Sequence, residues 1–142
     1  MKTKHATLSL IALVLLAGCV SRGLLTGQLD KYHAIYFSDL NPFDEPYAKE
    51  VSRRLALYGL ETTSATNRDD ALRCKLSIDQ QNVWGFAAQL SLWDHDKVLV
   101  AGEARNPGFG TLLAPDASVH NLFDSALGQL EQQLRKGGLH KK

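Results

Sequence analysis

Cysteine is scarce in this chain of 142 residues: Cys19 and Cys74 are the only two, which leaves no Cys-x-x-Cys pair for a metal or a redox couple. The five histidines contain no His-x-x-x-His pair, and no Gly-x-Ser-x-Gly stretch supplies a serine nucleophile on a sharp turn. Sixteen basic residues against fifteen acidic ones give a formal charge of +1, so there is no electrostatic reason to expect nucleic acid as a partner. Past Cys19 no run approaches 18 consecutive apolar residues, which removes a membrane-spanning helix from that part of the chain. No motif implies a cofactor or a metal ion, and the composition gives no low-complexity segment or internal repeat.

What is present stands at the start. Lys2 and Lys4 precede an apolar stretch over residues 6–16, too short to cross a bilayer, and the stretch ends in Leu16-Ala17-Gly18-Cys19. This tetrapeptide resembles the lipobox of bacterial lipoproteins, in which small residues precede a cysteine that is lipidated and becomes the new N-terminus. The resemblance implies that residues 1–18 are a signal peptide that is removed and that Cys19 carries three acyl chains. Two or more chains, at about 0.8 kcal/mol per buried methylene, hold a protein on a membrane stably. Loss of Lys2 and Lys4 takes the basic residues from 16 to 14 against 15 acidic ones, so the formal charge becomes −1. Cys74 is then the one thiol left, with no partner for an internal disulfide. Val20 is not the aspartate that retains lipoproteins in the inner membrane of enteric bacteria, which implies the outer membrane, periplasmic face.

The remainder divides into a lipidated N-terminus and tether at 19–31, one domain at 32–137, and a basic tail at 138–142. The tether has two glycines and no clear periodicity, and its last twelve residues reach at most roughly 40 Å. Leu24, Leu25 and Leu29 offer the alternative of docking onto the domain. A first strand is expected at 33–38, where Ala34, Ile35, Tyr36 and Phe37 favour a pleated, buried setting. A helix follows over about 45–58, with Asp44 as N-cap, Tyr47, Val51, Leu55 and Tyr58 along one face, and Gly59 at its left-handed end. After a short strand at 60–65, period-two alternation places Leu72, Cys74, Leu76 and Ile78 on one face. A second alternating run does the same for Trp84, Phe86, Ala88, Leu90 and Leu92. A further strand spans 97–105. The last element is an amphipathic helix with Val119, Leu122, Phe123, Ala126, Leu127, Leu130 and Leu134 on its stripe, capped by Asp116 or Ser118 and stopped by Gly137. The expected class is therefore α+β: a two-layer sandwich, order β-α-β-β-β-β-α, with two helices on one face of a mostly antiparallel sheet.

A second resemblance covers roughly residues 34–134. The stretch Trp84-Gly85-Phe86-Ala87-Ala88-Gln89-Leu90 and the hairpin at 92–104 are similar to a family of small uncharacterised proteobacterial lipoproteins of α+β form, although Asp94-His95-Asp96-Lys97 stands where that family usually has Asp-Gly. The architecture also looks like accessory lipoproteins that help build or regulate the outer envelope.

Each chemical candidate has a simpler competitor. His95 between Asp94 and Asp96 has the residue types of a metal or proton-relay site, but neighbours on a tight turn point apart, and a solvated hairpin tip is favoured. Ser38-Asp39 reads as a turn, Asp69-Asp70 as the turn before a strand, and Gly108-Phe109-Gly110 as a connector with no helix behind it to hold phosphate. Cys74 shares its face with leucines, where a thiol is inert. Trp93 falls on the polar side of its strand if the alternation is unbroken, and there it can anchor a partner; a bulge would return it to the core. The tail lysines Lys141 and Lys142 could meet anionic lipid or fray into solvent.

These readings make the protein a non-catalytic envelope lipoprotein. It is attached to the membrane by acyl chains on Cys19 and binds an envelope protein or lipid-linked partner, with Trp93 as the contact. The competing reading is an enzyme whose site is assembled from distant residues such as His33, Asp39 and His95.

Overall fold

The computed structural model describes residues 20–82, 85–106 and 115–142. The chain runs β1 (Val20–Leu25), β2 (Ala34–Phe37), a 3₁₀ turn (Pro42–Asp44), α1 (Glu45–Ala56), β3 (Glu61–Thr62), β4 (Ala71–Asn82), β5 (Gly85–Asp94), β6 (Lys97–Asn106) and α2 (Pro115–Lys136). The six strands form one sheet in the order β1-β6-β5-β4-β2-β3. Pairing is antiparallel from β1 through β6 and β5 to β4, and parallel between β4 and β2 and between β2 and β3. The fold is α+β, as the alternation and the two amphipathic stripes require.

The alternating positions explain which side is covered. Leu72 and Cys74 on β4, Ala88, Leu90 and Leu92 on β5, and Val100 and Ala104 on β6 are all fully buried. They meet Val51 and Leu55 of α1 and Leu122, Phe123, Ala126, Leu127, Leu130 and Leu134 of α2 in one core. Tyr47 packs against Phe123 with ring centroids 4.8 Å apart and planes tilted by 55°, which seals the seam between the helices. Beside that seam Arg54 donates two hydrogen bonds to the buried Glu131 carboxylate, at 2.9 and 2.6 Å. A bidentate pair of this kind fixes geometry more than it adds stability, because both charges lose water.

Gly102 sets how closely α2 lies on the sheet. A Cβ at that position would meet the Ala126 carbonyl oxygen and, at 2.5 Å, the Leu130 amide nitrogen, both of them backbone. Ridge-into-groove adjustment cannot absorb such a clash, since no side chain is available to turn away.

The segment expected as a tether is ordered structure. Val20–Leu25 pairs along its whole length with β6, from Val20 opposite Arg105 to Leu25 opposite Val100. Leu29 and Tyr32 are buried, Leu25 packs on the core edge, and the Leu29 amide bonds to the Gly137 carbonyl at 3.2 Å. The tether reading is corrected because these apolar side chains have a core to enter and the edge of β6 offers its unpaired backbone groups. Other differences are local. Asp44 stands at the N-cap position of α1 as expected, but it is buried and its side chain makes no cap bond; the preceding turn is capped by Asn41, whose side chain accepts from the Phe43 amide at 3.1 Å. The strand expected at 60–65 is the two residues of β3. Gly59 has φ +82, as its place after α1 demands; α2 ends at Lys136, just before Gly137, and the left-handed residue there is Gly138 with φ +100. The basic tail is folded back, with the Lys142 amide on the Leu57 carbonyl at 2.9 Å and Lys141 over the Tyr58 ring. Trp84 and the Gly108-Phe109-Gly110 loop lie outside the described residues.

Gly102→Ala is expected to cost on the order of 3 kcal/mol in urea unfolding. Gly23→Ala should cost far less, since its Cβ meets only the flexible end of Gln133. Equal effects would contradict the backbone contact.

Candidate functional site

With α1 and α2 on one side, no helix among the described residues covers the other side of the sheet, which is the open face. Across it runs a row set by register: Tyr36 of β2 is paired with Arg73 of β4, and Arg73 with Trp93 of β5. Tyr36 and Arg73 each sit between neighbours whose side chains enter the core, and Trp93 follows the buried Leu92, so Trp93 projects from the open face and is half-buried there. A register shift does occur between Leu92 and Trp93 on the β6 side, but it leaves the indole outside the core cluster.

Trp93 organises the charges around it. The Arg73 guanidinium lies 5.4 Å and the Lys75 ammonium 4.9 Å from the ring centroid, and the indole N–H donates to Ser91 Oγ at 2.8 Å. Arg73 also donates from Nη2 to the His95 carbonyl at 2.9 Å, while its buried Nε has no hydrogen-bond partner among the described residues. Among those residues neither Arg73 nor Lys75 forms a salt bridge. Two half-buried cations are thus held side by side by an aromatic face with no counter-charge, an arrangement suited to receiving acceptor groups from another molecule.

Next to the row lies a cleft of about 300 Å³, lined by Tyr36, Thr66, Asn67, Arg68, Asp94 and His95 among others. Arg68 is already committed to Asp70 through two bonds of 2.8 and 2.6 Å. Asp94 accepts from the Tyr32 hydroxyl at 2.5 Å, touches His95 Nδ1 at 2.7 Å and has Lys31 at 3.8 Å. The Tyr32 bond, and after it the His95 contact, hold the Asp94 carboxyl below its ordinary range. Burial, and then Asp94, push the Tyr32 phenol up.

The other sequence candidates are placed as follows. His95 is exposed at the hairpin tip with φ +52, and no group of three metal-ligating side chains assembles among the described residues. His33 and Asp39 lie at opposite ends of β2, about 20 Å apart along an extended chain. His33, Asp39 and His95 therefore do not converge in one pocket. Asp39 has φ +56 and takes up the turn, and the Asp69-Asp70 pair is the turn into β4. Cys74 is fully buried, and burial pushes its thiol up to about 12, so it has no nucleophilic role in the folded protein. Tyr32, the partner of Asp94, was not legible as a site residue: it is the first residue after the segment that reads as tether and precedes the first expected strand, with no periodic neighbour to mark it. Cys19 and the lipobox residues Leu16, Ala17 and Gly18 lie outside the described residues.

Fold and site together define an α+β domain with one helix-covered face and one open, partly cationic face, a shape that presents a surface more than an enclosed pocket. No protein-family model and no curated protein matches the chain. Among solved structures it is similar to the PelC dodecamer from Paraburkholderia phytofirmans in space group P6, at 9% identity and a TM-score of 0.52, covering 79% of this chain and 97% of that one. A point variant of that protein, also a dodecamer, in space group C2, gives 10% identity, a TM-score of 0.48 and coverage of 79% and 96%. At such identity the first likeness speaks for the fold alone.

The Tyr32–Asp94 bond has a defined pH window. Asp94 is favoured as the anion in the folded state, so its contribution is complete above about pH 4 and is lost as pH falls through its lowered value; Tyr32 is favoured neutral, so its contribution is lost only as pH rises past about 10. Tyr32→Phe should cost about 1–2 kcal/mol at pH 7, with the difference from the parent shrinking below about pH 4 in urea titrations.

Proposed function

We propose that this protein is a lipid-anchored envelope lipoprotein, acylated at Cys19 after removal of residues 1–18 and held on the periplasmic face of the outer membrane. It acts without catalysis, by binding a protein or lipid-linked partner on its open sheet face. The observation that carries this reading is the row Tyr36–Arg73–Trp93 with Lys75 beside it, where two cations lie against one indole with no carboxylate within salt-bridge distance among the described residues. Tryptophan, tyrosine and arginine together are the composition that dominates binding energy at protein interfaces. The lipobox tetrapeptide supports the location, since no helix among the described residues is long and apolar enough to cross a membrane and the acyl chains would be the anchor.

Photo-crosslinking in intact cells tests the contact. A crosslinker at Gln89, exposed on the open face, should give a defined adduct that Trp93→Ala removes, and one at Arg53 on the outer side of α1 should not. Adducts from Arg53 alone would contradict the reading. In the same cells Cys19→Ala should move the protein from the membrane to the soluble fraction while leaving it folded, and continued membrane fractionation would remove the lipid anchor from the account.

A further inference from the structure

Register across the sheet fixes which end lies nearest Cys19. Val20 is paired with Arg105, Arg105 with Ala87, and Ala87 with Asp79, so these four residues form one row about 14 Å long. At the β4 end of that row the 3₁₀ turn packs beside the strand, and Asp44 is close enough to Asp79 to feel its charge. Phe43, the residue before Asp44, is 85% exposed, the most exposed of the large hydrophobic side chains among the described residues. A single exposed apolar residue is ordinary. Its place is not: it stands at the same end of the sheet as the residue bonded to Cys19, on a turn fixed by the Asn41 cap.

We propose that this end of the sheet rests directly on the bilayer, with no tether between lipid and domain, and that Phe43 enters the interface as a second contact beside the acyl chains. The proposal rests on acylation of Cys19. Consecutive Cα atoms are about 3.8 Å apart, so acyl chains on Cys19 leave the domain one residue before β1 begins. The bilayer is the occupant because the chain itself delivers it there: no length of linker separates Val20, already paired with β6, from the lipidated position. Asp44 and Glu45 follow Phe43 directly, so the contact is apolar and does not depend on anionic headgroups.

The orientation has consequences elsewhere. The Arg73–Trp93 row lies six residues further along β4 from Asp79, about 20 Å from the membrane end, where a partner can reach it. The tail lysines are held at Leu57, beyond the far end of the 12-residue α1, and so do not contact the lipid beneath.

The test uses the full acylated protein in vesicles of phosphatidylethanolamine and phosphatidylglycerol, with a nitroxide on Phe43→Cys or, at the other end of α1, on Leu57→Cys; buried Cys74 stays unlabelled. Flotation with the vesicles is read first, then the accessibility of each label to oxygen and to a water-soluble nickel chelate. The Phe43 label should be shielded from nickel several-fold relative to the Leu57 label and open to oxygen, and equally so in vesicles of phosphatidylcholine alone. Flotation with both labels equally open to nickel overturns the direct seating and leaves the lipid anchor standing. Failure to float overturns the anchor and the seating with it.

Discussion

The layer geometry depends on one close approach, the backbone of α2 against Gly102. Because β6 carries no side chain there, the helix lies low enough for Leu122, Leu127 and Leu130 to reach β5 and β6, and for Arg54 of α1 to reach Glu131. The same closeness lets β1 complete the sheet, since Gly23 is paired with Gly102 and its own missing side chain leaves room for Gln133. Burial on this side is thus concentrated under two helices. The opposite face keeps its polar and charged positions, Arg73, Lys75, Ser77 and Gln89 among them, in reach of solvent and partners.

Much of this was legible from residue spacing. The stripe of α2 is so regular that every one of its apolar positions from Leu122 to Leu134 is buried, and the alternation of β4 and β5 named the core residues Leu72, Cys74, Leu90 and Leu92. What failed to show did so for physical reasons. Val-Ser-Arg-Gly-Leu-Leu has no alternation because Gly23, paired with Gly102, brings no apolar side chain to the helix-covered face, so an edge strand reads as a linker. Leu29 and Tyr32 sit between strands and follow no period at all; their burial is a tertiary event. The site was half visible: unbroken spacing puts Trp93 on the polar side and a bulge puts it in the core, and only pairing register decides between them and brings Tyr36 and Arg73, 37 residues apart in sequence, into one row with it.

The two ends of the sheet have different work in this account. One end begins at Val20, the residue after Cys19, and carries the exposed Phe43. The other carries the Trp93 row, the neighbouring cleft and the Tyr32–Asp94 bond that ties the start of the domain to the β5–β6 hairpin. A sheet that is continuous from β1 to β4 makes the spacing between them a fixed property of the fold, so a partner held at Trp93 would stand at a set height above the lipid. Rigid presentation of this kind removes the entropy cost that a flexible tether would add to each binding event.

All of it requires that Val20–Leu25 be a strand. Amide hydrogen exchange on the membrane-bound full-length protein tests that most directly. The amides of β1 that bond to β6 should exchange as slowly as their partners in β6, and the Thr26 amide, bonded to the Leu99 carbonyl at 2.8 Å, should be protected with them. Exchange of residues 21–26 at the rate of an unstructured peptide would contradict it, because a free linker there would uncouple the domain from the lipid.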